Sequence, residues 1–152
     1  MLERMDIFFE NRLSDYDCHM MRDIEGAEEF YSSTASELPK EANAQILDLG
    51  CVTGLELEQY FPLNPTACIT GIDLSKAMLE TLAAKFPHNK NLTLIHASYF
   101  DWDLGIEQYH AAVSVESLHH FTADRKLSLY RKLHRSLKPG GYFILTDYFS
   151  ES

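Results

Sequence analysis

The run Gln45-Ile46-Leu47-Asp48-Leu49-Gly50-Cys51-Val52-Thr53-Gly54-Leu55-Glu56 constrains this chain more than any other part of it. Apolar residues lead into Asp48, two glycines spaced four apart supply a turn, and apolar residues between Leu55 and Phe61 resume at helical spacing. The pattern is strand, turn, helix start. Glycine lets the chain bend sharply and lets a ligand approach the main chain, while the first N–H groups of the helix point out of the turn. Asp48 narrows the kind of ligand. A carboxylate ending a buried strand is costly unless something cationic or rich in donors meets it, which favours an amine or hydroxyls over a bare phosphate.

The same alternation continues along the chain. Cys68 to Asp73 gives a second strand, and Asp73 stands 23 residues past Gly50, near the ~20-residue offset at which an acid meets ribose hydroxyls in dinucleotide folds. A plainer role for Asp73 is to precede a helix capped by Ser75. That helix runs to Phe86 with Met78, Leu79, Leu82 and Phe86 inward, and residues 91–96 form a third strand. Residues 109–115 make an apolar fourth strand whose carboxyl end leads into Glu116-Ser117-Leu118-His119-His120-Phe121. Thr122 caps a helix reaching Leu137, with Leu127, Tyr130, Leu133 and Leu137 on one face. A Lys138-Pro139-Gly140-Gly141 turn then opens a fifth strand over residues 142–148. Before the first strand, residues 1–42 read as an N-terminal helical cap, with Ile24, Ala27, Phe30 or Tyr31, Ala35 and Leu38 at helical spacing until Pro39. The expected fold is α/β: a Rossmann-like three-layer sandwich of five mostly parallel strands over residues 43–152, with that helical cap in front.

Asp48-Leu49-Gly50-Cys51-Val52-Thr53-Gly54 resembles the first motif of class I S-adenosylmethionine-dependent methyltransferases, an acidic residue followed by x-Gly-x-Gly-x-Gly. Ile72-Asp73-Leu74-Ser75 with Met78, and the Leu137-Lys138-Pro139-Gly140-Gly141 turn, are similar to later family motifs. The resemblance runs in family order from Asn43 to Tyr148. It implies that Asp73 holds the cofactor ribose, that Ala97, Ser98 and Tyr99 lie at the adenine, and that Val115 or Glu116 touches the methionine portion. The implied cofactor-binding set is Asp48, Gly50, Cys51, Val52, Gly54, Asp73, Leu74, Met78, Ala97, Ser98 and Glu116. The aromatic and acidic segment with Phe8, Phe9 and Tyr16 loosely resembles the family's lid, and packing on the core accounts for those aromatics equally well. Val52 departs from the pattern. The family has glycine there, against the methionine part of the cofactor, whereas valine adds a branched side chain and resists a positive φ.

These features leave three functions to compare. The first is methyl transfer from S-adenosylmethionine to a small-molecule acceptor, with Glu116, His119 or His120 available as a general base. The second is a truncated or non-catalytic binding or assembly module whose cofactor binding is impaired by Val52. A nicotinamide-dependent oxidoreductase fits poorly, because its G-x-G-x-x-G turn needs glycine at Val52 and a small residue at Leu55. The net charge of −10 opposes nucleic acid as a partner. Cys18, Cys51 and Cys68 lack C-x-x-C spacing, which argues against zinc and for reduced thiols in the cytoplasm. Adjacent histidines without a third ligand at matching spacing do not suggest a metal. No apolar run is long enough for a membrane span, and the charged first residues do not form a secretory signal. A fifth strand this apolar, left as an edge, predicts either a longer parent chain or a homodimer or larger homo-oligomer formed through that edge.

Overall fold

The computed structural model describes residues 27–50, 54–115 and 122–146. Five strands, β1 (Gln45–Leu49), β2 (Cys68–Asp73), β3 (Leu92–His96), β4 (Tyr109–Val115) and β5 (Leu137–Thr146), form one sheet in the order β3-β2-β1-β4-β5. Every pairing in it is parallel. Among the described residues four helices accompany it: α1 (Ala27–Glu37), α2 (Leu55–Tyr60), α3 (Lys76–Lys85) and α4 (Ala123–Ser136).

Parallel strands are covered on both faces, and alternate residues of each strand serve opposite cores. Ile46, Ile69, Ala111 and Val113 pack with Tyr31, Ala35 and Leu38 at α1, Leu57 and Tyr60 of α2, and Leu79 and Leu82 of α3. Leu47, Leu49, Ile72 and Ala112 face the other way, onto Leu129 and Leu133 of α4 together with Tyr99 and Leu104. The expected three-layer α/β arrangement is the observed one.

Helix α1 is held by polar contacts as well as by packing. Tyr60 Oη donates to the Pro39 carbonyl, and Asn64 Nδ2 donates to Pro39 O at 3.1 Å and to Glu41 O at 2.8 Å. Tyr142 Oη reaches from β5 to the Glu37 carbonyl at 2.7 Å. These bonds satisfy the last carbonyl of α1, which the helix itself cannot pair, and two carbonyls of the segment that follows it.

Two local readings change. Leu127 is 49 % exposed, while Leu129, Leu133 and Ser136 are buried. The inward stripe of α4 therefore runs through Leu129 and Leu133, with Tyr130 packed against it. A stripe through Leu127 and Leu133 has equally helical spacing, so the sheet, and not the period, selects the face. The β5 strand also begins five residues early, at Leu137, directly after α4. Its register with β4 passes from Tyr109↔Leu137 to Ala111↔Tyr142, so residues 138–141 bulge out around Gly140 at φ +82°.

Candidate functional site

The carboxyl ends of β1 and β2 bring Asp48 and Asp73 to one edge of the sheet. The β1 to β2 connection runs to one side and β4 lies on the other, so the carboxyl end of β1 is the switch point where open parallel sheets take ligands. Asp48 pairs in register with Gly71 and with Val113, neither of which offers it a polar side chain. Its side chain is 0 % exposed, and neither carboxylate oxygen meets a donor.

The turn after β1 is shaped by its glycines. Gly50 has φ +67° and donates its N–H to the Ile72 carbonyl at 2.7 Å, which binds the turn to the end of β2. Gly54 opens α2 at φ +75°. A Cβ there would lie 2.2 Å from Leu82 Cδ1, so the position requires glycine both for its backbone and for the close approach of α3. Cys51 and Val52 lie outside the described residues, as do Glu116, His119 and His120.

Asp73 is 6 % exposed and is oriented by its own chain: Oδ1 accepts the Ser75 N–H at 2.9 Å. Ser75 in turn caps α3 by accepting the Met78 N–H at 3.2 Å. The capping role and the ligand role of this segment are thus compatible. Ser75 does the capping and simultaneously fixes the acid. Leu74 is exposed beside Asp73, and its carbonyl accepts a hydrogen bond from His96 Nε2 at 2.8 Å. Met78 is fully buried and supports the site through its backbone.

Ala97 follows β3, donating its N–H to the Asp73 carbonyl at 3.0 Å, which places the β3 turn next to Asp73. Ser98 is half-buried, and its hydroxyl accepts the Phe100 N–H at 3.2 Å. Tyr99 is buried in the core beneath α4. Asp48, Gly50, Gly54, Asp73, Leu74, Ala97 and Ser98 therefore line one end of three adjacent strands.

Two residues outside the sequence-based set belong to this region. Glu56, in the first turn of α2, is 4 % exposed, and its Oε1 also lacks a donor. Burial raises the Asp48 carboxyl well above its usual range, and the nearby Glu56 and Asp73 charges raise it further. Burial likewise raises Glu56, while the neighbouring Asp48 carboxyl, the backbone N–H of Glu56 itself and the Lys85 ammonium act the other way. Lys132 of α4 is the second. Its ammonium donates to the carbonyls of Tyr99, Phe100 and Trp102 and so ties down the turn that carries Ser98. The short α2 buries Leu55, Glu56, Leu57 and Tyr60 around most of its circumference, so no periodic signal singles out Glu56.

A family model described as a methyltransferase domain matches residues 46–141. The carboxy-S-adenosyl-L-methionine synthase of Campylobacter fetus is 28 % identical over 106 residues, which is 69 % of this chain and 44 % of that protein. The chain thus spans less than half the length of this curated relative. The structure of an S-adenosylmethionine-dependent methyltransferase from Mesorhizobium loti is 29 % identical, with a TM-score of 0.66 over 80 % of this chain and 53 % of that one. A Methanococcus maripaludis structure shares the fold at 16 % identity, with a TM-score of 0.76 over 98 % of this chain and 68 % of its own. With the parallel sheet, the glycine-shaped turn and the two strand-end acids, these matches show that the chain belongs to the class I S-adenosylmethionine-dependent methyltransferase family.

Proposed function

We propose that this chain binds S-adenosylmethionine across the carboxyl ends of β1, β2 and β3 and catalyses methyl transfer to a small-molecule acceptor. The observation that carries the reading is the pair of strand-end acids. Asp48 lacks any donor for its two oxygens, and Asp73 is pre-oriented by Ser75 at 2.9 Å. Such a site fits a ligand that brings positive charge to one acid and hydroxyls to the other.

When bound, the cofactor supplies an electrophilic sulfonium methyl, so the protein's task is alignment and exclusion of water rather than covalent catalysis. Asp73 would hold the ribose hydroxyls. Gly50 and Gly54 would bring the turn's backbone against the methionine part beside Asp48, a part of the ligand that Cys51, Val52 and Glu116, outside the described residues, would also contact. Leu74, Ala97 and Ser98 would border the adenine, with Met78 supporting Ser75 from below. Glu116, His119 or His120 would accept the acceptor's proton where it carries one.

The acidic balance of the chain favours a small molecule over nucleic acid as acceptor. Among the described residues no helix is long and apolar enough to cross a membrane, and no cluster of His, Cys, Asp and Glu could hold a metal. A cytoplasmic location agrees with the absence of C-x-x-C spacing in the sequence and with the free thiol of Cys68. The outer edge of β5, where Tyr142 and Leu145 are exposed, would pair with a second copy. Nothing among the described residues favours the non-catalytic module over this reading.

The test is calorimetric titration of the folded chain with S-adenosylmethionine and S-adenosylhomocysteine, repeated on Asp73→Ala and Val52→Gly. Binding that weakens strongly in Asp73→Ala supports the site. Binding that appears only in Val52→Gly would support the impaired module instead.

A further inference from the structure

Glu56 and Asp48 are two carboxyl groups with almost no access to water and too few donors. As carboxylates both are acceptors only, so two neighbouring buried anions would repel and leave Asp48 Oδ1, Asp48 Oδ2 and Glu56 Oε1 unsatisfied. A single proton between them removes one charge and supplies one donor, pairing an Asp48 oxygen with Glu56 and leaving the other Asp48 oxygen for a ligand. The surroundings set where that proton can go. Asp73 approaches from β2 and adds negative potential to both groups. Lys85 of α3 is the cation that acts on Glu56, and it is shared with Glu58 at 3.6 Å. The cation beside Glu56 favours placing the proton on Asp48 and the charge on Glu56.

We propose that Asp48 and Glu56 hold one proton between them in the free protein, and that S-adenosylmethionine displaces this proton to solvent as it binds. The O–H bond of the shared acid breaks, its proton passes to water or buffer, and the pair becomes doubly negative beneath a ligand carrying an ammonium and a sulfonium. The inference rests on the cofactor reading of this crevice. It makes Glu56 a positioning residue, acting on the ligand through Asp48. It also explains how an acid this deeply buried is tolerated before any ligand arrives: the free site is a neutral acid hydrogen-bonded to one anion.

Two measurements on the full chain test this. Infrared spectroscopy of the ligand-free protein at neutral pH should show a protonated carboxyl band that disappears in Asp48→Asn and in Glu56→Gln; if the band is absent from the wild type, the shared proton does not exist. Titration calorimetry with S-adenosylmethionine in buffers of different ionisation enthalpy should show release of up to one proton, with affinity rising by up to about tenfold per pH unit below the pair's upper pKa. Glu56→Gln replaces the proton with a fixed amide donor, so it should bind without proton release and with a flattened pH profile. Proton release unchanged in Glu56→Gln, or no release in the wild type, overturns the proposal. A carboxyl band with no cofactor binding at any pH supports the shared proton and overturns the cofactor reading alone.

Discussion

Lys132 Nζ lies 3.0 Å from the carbonyl oxygen of Tyr99, so a charged side chain of α4 closes the turn that follows β3. The same ammonium reaches Phe100 O at 2.9 Å and Trp102 O at 2.7 Å, and its three protons thus have three carbonyl acceptors. Arg125 adds to the clamp from one end of α4, its guanidinium 4.2 Å from the Phe100 ring centroid. Lys132→Met keeps the stem and removes the donors. We expect a loss of about 1–3 kcal/mol in denaturant unfolding, together with weaker binding of adenosine-containing ligands. Unchanged stability and affinity would show that the turn holds its shape without the ammonium.

Gly54 and Leu82 cannot both keep their places if glycine gains a methyl. Gly54→Ala puts a side chain at φ +75° and a Cβ 2.2 Å from Leu82 Cδ1. The left-handed backbone and the overpacking together should cost about 2–5 kcal/mol. Leu82→Ala in the same chain should recover only the steric part, measured as a double-mutant cycle in urea. Full additivity of the two changes would contradict the contact.

The Asp48 carboxyl makes the stability of the free protein fall as pH rises. Burial, with the Glu56 and Asp73 charges, raises its folded pKa above the unfolded value. The folded state then keeps a proton that the unfolded state releases, and stability falls as pH rises from the ordinary carboxylate range toward the raised value. Asp48→Asn removes the titration. It should stabilise the ligand-free chain at neutral pH by about 0.5–2 kcal/mol while weakening cofactor binding, and its stability curve should be flatter across that window. A steeper fall in the variant would mean that another group carries the pH dependence.

Tyr142 and Leu145, 41 % and 43 % exposed on β5, predict association through that edge. Light scattering of the folded chain should give a dimer or larger species, and Leu145→Lys should shift it toward monomer. A wild-type chain that stays monomeric at high concentration would dismiss this contact.

Much of the fold was legible from short-range patterns. Apolar runs ending in Asp48 and Asp73, with glycines or a serine directly after them, specify strand ends and helix starts through local backbone chemistry. Those signals placed both acids at the same edge of the sheet, where the structure has them. The role of Ser75 was half legible, since its cap could be read but not its hold on Asp73. Glu56 and Lys132 were not legible as part of the site. A charged residue on a helix ordinarily faces water, and only tertiary packing turns Glu56 toward Asp48 or brings Lys132 onto three carbonyls of another loop. Leu127 failed for the converse reason: its spacing allowed a buried face, and the sheet took Leu129 and Leu133 instead.

The most direct test of the cofactor site is calorimetric titration of the folded wild-type chain with S-adenosylmethionine beside Asp73→Ala of equal stability. Saturable one-site binding in the wild type, weakened at least about tenfold in the variant, which is about 1.4 kcal/mol, is the predicted result. Equal binding by the two proteins, or none by a wild-type chain shown to be folded, would contradict it.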